Sequence, residues 1–185
     1  MSTLTLVPRT ALANDANPTA GDLHRLVMGM FPAGLAGRDS HNILWRAEGQ
    51  NILVRSDIEP TNLPAGARTI IEPALPYLAG DTVRFTVAVN PVTRRNQDEG
   101  GRVRRVESLT DPVDLVTEKL ALALRVDDVH SEVTWRTQRK GTPLAVSTVT
   151  GIATVTDTNE LARILREGIG RAKAFGCGLL TILPA

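Results

Sequence analysis

Apolar and polar residues along this chain alternate with a period of two in some stretches and recur at helical spacing in others. Leu4-Thr-Leu-Val7 alternates, which predicts a short strand. A polar stretch with Asn14, Asp15, Asn17 and Pro18 follows. Leu23, Leu26, Val27 and Met30 then fall on one helical face, and Thr19 with Asp22 three residues on forms an acidic variant of the capping box. At ~100° per residue, His24 lies on the edge of that apolar stripe. Phe31-Pro-Ala-Gly34 ends the helix. Asn42–Arg46 and Asn51–Arg55 flank Glu48-Gly-Gln50 as a predicted hairpin. Ile58 to Ala67, with Pro60 and Pro64, leaves little room for a long helix, and Arg68–Glu72 reads as a strand.

The second half repeats this order. Thr82 to Val89 alternates as a strand, and Asn90-Pro91 stops it. Asp111-Pro112 opens a helix in the cap-then-proline arrangement and carries Leu115, Val116, Leu120 and Ala123. Val126 to Arg136 and Leu144 to Val155 read as strands around a turn at Gly141-Thr-Pro143. Asp157 or Thr158 caps a helix with Leu161, Ile164 and Leu165, which Gly168 ends as a C′ glycine. Leu179–Leu183 is the closing strand. Both halves thus read β-α-β-β-α-β, with the second helix of the first half short or degenerate. That order is the ferredoxin-like unit. The expected fold class is α+β: two tandem ferredoxin-like (RRM-like) domains with antiparallel sheets, residues 1–79 and 80–185. The halves share this pattern without obvious sequence identity.

Composition narrows the function. At 42% apolar and 22% charged the chain is ordinary globular material, while 3% aromatics exclude a stacking platform of several rings. The net charge of +1 does not by itself point to nucleic acid. Of the 21 cations, however, 18 are arginine, and they cluster. A GC-rich genome would give the same bias. The single Cys177 excludes an internal disulfide and suits a reducing compartment. No apolar run reaches membrane length and no signal-type start is present, so the cytoplasm is expected and no membrane contact. His24, His41 and His130 lack ligand spacing, so neither a metal nor a cofactor is expected.

Three features carry chemistry. Gly168-Ile-Gly-Arg-Ala-Lys-Ala-Phe-Gly-Cys-Gly178 places four glycines and two cations between a helix and a strand. That placement is the reverse of a dinucleotide fingerprint, and no Gly-Lys-Ser/Thr is present for a phosphate loop. A helix cap with a tight turn explains Gly168 but not Gly170, Gly176 and Gly178 together. Residues 94 to 105 carry Arg94, Arg95, Arg102, Arg104 and Arg105 against Asp98 and Glu99, with a flex point at Gly100-Gly101. The run is expected to join the two sheet domains, either as a solvated loop or as guanidinium groups on an RNA backbone. Arg136, Arg139 and Lys140 could extend that surface. His24 is either a packed helix-edge residue or a proton-transfer group with a pKa class suited to neutral pH.

Together these residues resemble a known family. The run from Gly168 to Leu180 is similar to the glycine-rich signature of the CasE family, the CRISPR RNA-processing endoribonucleases of type I-E Cascade complexes. Leu23-His24 with the helix ending at Phe31-Pro32 resembles the family's catalytic-histidine helix. Arg125-Val-Asp-Asp-Val-His130 and Val89-Asn90-Pro91 resemble two of its strand boundaries. The resemblance implies a protein that binds the stem-loop of a CRISPR repeat and cuts at the 3′ base of the stem without metal. It would leave 2′,3′-cyclic phosphate and 5′-hydroxyl ends and stay with the other Cascade subunits. His24 takes the catalytic role, and Arg25, Arg94, Arg95, Arg102, Arg104, Arg105, Gly168, Gly170, Arg171 and Lys173 are expected to contact RNA. One departure stands out. Family members often carry a tyrosine one turn before the histidine, where this chain has Gly21; its sole tyrosine is Tyr77. A non-catalytic RNA-binding or scaffolding protein, or a small-molecule-binding ferredoxin-like protein, are the alternatives.

Overall fold

A computed structural model describes residues 2–11, 18–35, 41–73, 75–99, 102–137 and 143–185; for 93–99, 102–108, 134–137 and 143 it describes the backbone. The first half comprises β1 (Thr3–Pro8), α1 (Ala20–Met28), β2 (Leu44–Glu48), β3 (Asn51–Ser56) and β4 (Arg68–Ile71). These strands form an antiparallel sheet in the order β2-β3-β1-β4. The hairpin expected around Glu48 is present: Glu48 pairs with Asn51 across a two-residue turn in which Gly49 takes φ 55°. Between β3 and β4 the described chain turns without a helix, as Pro60 and Pro64 imply. The helix face of this sheet packs Val7, Trp45, Ile52 and Val54 against Leu23, Val27, Met30 and Phe31 of α1 and the turn after it.

The second half comprises β5 (Thr82–Val89), β6 (Val92–Glu99), β7 (Arg102–Leu109), α2 (Pro112–Leu120), β8 (Leu124–Thr137), β9 (Pro143–Val155), α3 (Thr158–Glu167) and β10 (Leu180–Pro184). Four of these strands form an antiparallel sheet in the order β10-β5-β9-β8, the same spatial permutation as the first. The Asp111 carboxylate accepts from the Val113 and Asp114 amides, and Asp157 does the same for Asn159 and Glu160, so both helix starts are side-chain capped. A bulge between Val126 and Asp128 lets the 14-residue β8 follow β9 along its length. The core joins Phe85, Val87, Leu120, Leu124, Val149, Leu161 and Leu180. The α+β class with two ferredoxin-like sheets is therefore observed.

The basic segment departs from expectation. It does not join the two sheets. Val92–Glu99 and Arg102–Leu109 pair as a two-stranded hairpin inserted between β5 and α2, inside the second half. Thr93, Val103 and Val106 supply β-branched positions, and the pairing runs in register from Val92 with Leu109 to Glu99 with Arg102. Gly100-Gly101 themselves, the linker residues Asn14, Asp15 and Asn17, and Arg139, Lys140 and Gly141 lie outside the described residues.

The cores of the two halves do not merge. The cluster under α1 contains residues up to Val54, and the main cluster of the second half gains only Leu75 and Tyr77 of the connecting segment. What holds the halves together is therefore a separate question.

Candidate functional site

The first site element is α1. The Asp22 amide donates to the Thr19 hydroxyl at 3.2 Å, and the Thr19 amide donates to Asp22 Oδ2 at 2.9 Å, closing the expected capping box. The Thr19 hydroxyl and amide, and then Arg25, hold the Asp22 carboxyl below its ordinary pKa. Asp22 thereby steers Arg25, which donates to it from the next turn and is 77% exposed. His24 sits beside Arg25, half-buried, with Nδ1 turned away from solvent. The far end of the helix is fixed by Thr61 and Asn62, whose amides donate to the Met30 carbonyl.

The glycine-rich loop is the second element. Gly168 ends α3 with φ 73° and ψ 169°, a region open essentially to glycine alone. A Cβ there would lie 2.7 Å from the Gly178 carbonyl oxygen and 2.8 Å from Leu44 Cδ1. The loop closes on itself where the Ile169 amide donates to the Gly178 carbonyl at 3.0 Å. It is tied to β5 where the Gly178 amide donates to the Ala88 carbonyl at 2.7 Å. Between them a single 3-10 turn, Lys173–Phe175, places Ala172 and Phe175 on a small cluster of Ala88, Leu144, Val146 and Cys177. Lys173 Nζ donates to the Glu167 carbonyl at 2.6 Å, satisfying an open carbonyl at the end of α3. Gly170 and Arg171 are exposed, and nothing lies within 4 Å of a Cβ built on Gly170.

These two elements meet. The 3-10 turn of the glycine loop packs against α1, the helix of His24, and against β2. Residues about 150 positions apart in the chain are thus neighbours across the junction of the halves. Of the expected site residues, the catalytic candidate His24 and the RNA contact Arg25 share α1, while Gly170 and Arg171 present open loop surface. Gly168 is spent on close packing and Lys173 on a helix end. Arg94 and Arg95 lie on β6 and Arg102, Arg104 and Arg105 on β7, in register with Glu107, Val106, Glu99, Gln97 and Asn96 respectively.

Two further residues tie the halves together in a way the sequence reading missed. Arg46 and Arg55 are only 3% and 6% exposed. Arg46 Nη1 donates to the carbonyls of Thr86 at 2.8 Å and Leu179 at 3.2 Å, and Nη2 donates to Thr181 Oγ1 and Glu48 at 3.0 Å each. Arg55 grips Glu72 through Nε and Nη2, both at 2.7 Å, and its Nη1 donates to the Leu180 carbonyl at 2.7 Å and the Leu165 carbonyl at 3.1 Å. Burial alone would raise the Glu72 carboxyl; the Arg55 hydrogen bonds and charge, with the Ser2 hydroxyl, outweigh it and hold it below its ordinary value. The signal was available: Leu44 and Arg46 on one strand and Leu53 and Arg55 on the next share one face of a hairpin whose other face holds Trp45 and Val54.

Among the described residues no three His, Cys, Asp or Glu side chains converge as a metal site, and no helix is long and apolar enough to cross a membrane. Two ferredoxin-like halves, with a histidine helix on one pressed against a glycine-rich loop on the other, define the class. The family profile described as CRISPR associated protein matches residues 1–184, and the chain belongs to that family. It is 28% identical over 153 residues to the CRISPR system Cascade subunit CasE of Escherichia coli K12, covering 74% of this chain and 76% of that one. Its fold matches the crystal structure of Cas6e from the same organism with a TM-score of 0.77, 21% identity and full coverage of both chains. Thermus thermophilus Cse3 bound to an RNA representing a pre-cleavage complex matches with a TM-score of 0.75 and 25% identity over 99% of this chain and 98% of that one.

Proposed function

We infer that this chain is a CasE-type endoribonuclease that binds the stem-loop of a CRISPR repeat, cuts precursor CRISPR RNA and remains as a Cascade subunit. One observation carries the reading: the helix of His24 packs on the glycine-rich loop, so RNA held on the second half lies beside an imidazole of the first. The relatives support it by name, one a Cascade subunit and another bound to RNA before cleavage.

The chemistry such a site supplies is an in-line transfer within the RNA. The 2′-oxygen bonds to the adjacent phosphorus as the bond from phosphorus to the 5′-oxygen breaks. The 2′-hydroxyl proton leaves to a base, and a proton is delivered to the departing 5′-oxygen. His24 serves one of these two transfers. A positioned acid or base contributes about 10² to 10⁴-fold in rate, and in-line orientation adds to it. Arg25, held one turn away by Asp22, offers positive charge for the developing phosphorane. Because the nucleophile is the RNA's own 2′-hydroxyl, the reading includes cleavage without metal.

The test uses purified protein and a repeat stem-loop RNA in excess EDTA. Cleavage should persist, a 2′-deoxy substitution at the cut site should block it, and His24→Ala should bind RNA while cutting about 10² to 10⁴-fold more slowly. Wild-type cutting by His24→Ala refutes the assignment of the histidine. RNA binding without cleavage by the wild type favours the scaffolding alternative, to which Gly21 in place of a tyrosine gives its one specific support.

A further inference from the structure

We propose that Arg46 and Arg55 are positioning residues: two buried guanidinium groups that fix the second half against the first and so set His24 relative to the glycine-rich loop. The inference rests on the reading that His24 cuts RNA held by that loop. Its structural part stands on geometry alone. In a ferredoxin-like unit one sheet face is covered by helices and the other is left open. On the first sheet the open face carries Leu44, Arg46, Leu53 and Arg55, and the β2–β3 side of it is where the second half sits.

The two apolar cores remain separate across this junction. Leu44 against Gly168 is a steric contact there, and it resists approach rather than sliding. Direction is supplied by the guanidinium groups. Together they meet Thr86 on β5, Leu179, Leu180 and Thr181 at the start of β10, and Leu165 near the end of α3. β10 is an edge strand, so its outer backbone groups have no neighbouring strand to answer them. Arg55 answers one of them at Leu180. The planar fork of arginine fixes angle as well as distance, which a lysine or a methionine does not.

The site is coupled to this clamp by a short path. Leu179 follows Gly178, whose amide and carbonyl tie the glycine loop to β5 and close it on Ile169. A shift of β10 relative to β2 therefore moves the loop relative to α1. Arg55 also holds Glu72 at the end of β4, where the chain leaves the first sheet. Both the start of the connector and the last strand are thereby held to one sheet.

The experiment reads orientation and chemistry separately. Cysteines replacing the exposed Leu63 and Leu122, one in each half, carry spin labels, while the native Cys177 is buried. In the wild-type background the label distance should form one narrow distribution. Arg46→Met and Arg55→Met should broaden it and lower the single-turnover cleavage rate at saturating protein by about 10 to 100-fold, the scale of a small misplacement of reacting groups. Stem-loop affinity should change far less, and Arg46→Lys should restore part of the rate. A folded Arg46→Met with the wild-type distance distribution overturns the proposal whatever its rate. If neither methionine variant folds, Thr181→Val with Glu48→Ala removes two partners of Arg46; unchanged distance and rate in that variant also overturn it. A wild type that never cleaves, or a His24→Ala that cleaves normally, strikes the functional reading and leaves the distance result standing.

Discussion

Alanine at Gly168 and alanine at Gly170 differ by one added carbon each, in the same loop, and should differ widely in cost. Both glycines have positive φ, 73° and 70°. At Gly170 the added Cβ meets open space, so the cost is the conformational one, about 1–2 kcal/mol for an L-residue in left-handed backbone. At Gly168 the ψ of 169° lies in a region nearly closed to side chains, about 1–3 kcal/mol of strain. The same Cβ falls 2.7 Å from the Gly178 oxygen and 2.8 Å from Leu44 Cδ1. The leucine can turn aside, but the carbonyl is held by the Ile169 amide, so overpacking adds about 1–3 kcal/mol. Gly168→Ala should therefore cost about 4 kcal/mol. At about 2–4 °C per kcal/mol for a chain of this size, the melting temperature falls by about 8–16 °C, against a few degrees for Gly170→Ala. Thermal melts followed by circular dichroism suffice. Equal losses in the two variants would refute the reasoning, because the collision at Gly168 is what should set it apart. Adding Leu44→Ala to Gly168→Ala should give less than the summed loss, since part of the collision is then removed.

Three shorter predictions follow from other parts of the structure. Thr19→Ala removes the hydroxyl that caps α1 and should cost about 0.5–2 kcal/mol in urea denaturation; no loss would mean that the Asp22 carboxylate alone suffices. The Glu72 carboxyl has its folded pKa below the ordinary 4.5, so its contribution is complete above that value and is lost as pH falls through the folded pKa. Melting temperature should accordingly drop on acidification below about pH 4.5, and Glu72→Gln should flatten that part of the curve. Reversing Arg94 and Arg104 to glutamate should weaken stem-loop binding at moderate salt and make the salt slope shallower by about 0.7–0.9 for each phosphate no longer neutralised. An unchanged slope would place the RNA elsewhere.

Much of the fold was legible because local chemistry and tertiary environment agree. Thr19 with Asp22, Asp111-Pro112 and Gly168 each marked a helix end that the structure uses, and strand alternation marked out the four strands of each ferredoxin-like sheet. The basic hairpin was not legible as strands. Its alternation runs through Arg94, Asn96 and Asp98, so no apolar face announces a sheet, and the arginines read as a solvated run. The same bias hid Arg46 and Arg55. A charged residue in a half-buried strand is assigned by default to solvent, and only the docking of another domain on that face converts it into a buried tie. At the candidate site, His24 and the glycine loop were each legible, but as separate features. Their contact depends on how the halves sit together, which periodicity within either half does not encode.

The separation of the two apolar cores has a consequence for how the molecule comes apart. Each half closes its own strand ladder, β1 with β3 and β4 in one, β5 with β9 and β10 in the other. Cooperativity within a half is carried by its packed interior, whereas cooperativity between halves passes through arginine–carbonyl contacts and the pairing of Arg166 with Asp57. Guanidinium chloride supplies a soluble copy of that linking group and urea does not. In guanidinium chloride the halves should uncouple while both sheets are still formed, leaving a hinged species of two intact foldons, while urea should melt interiors and junction closer together.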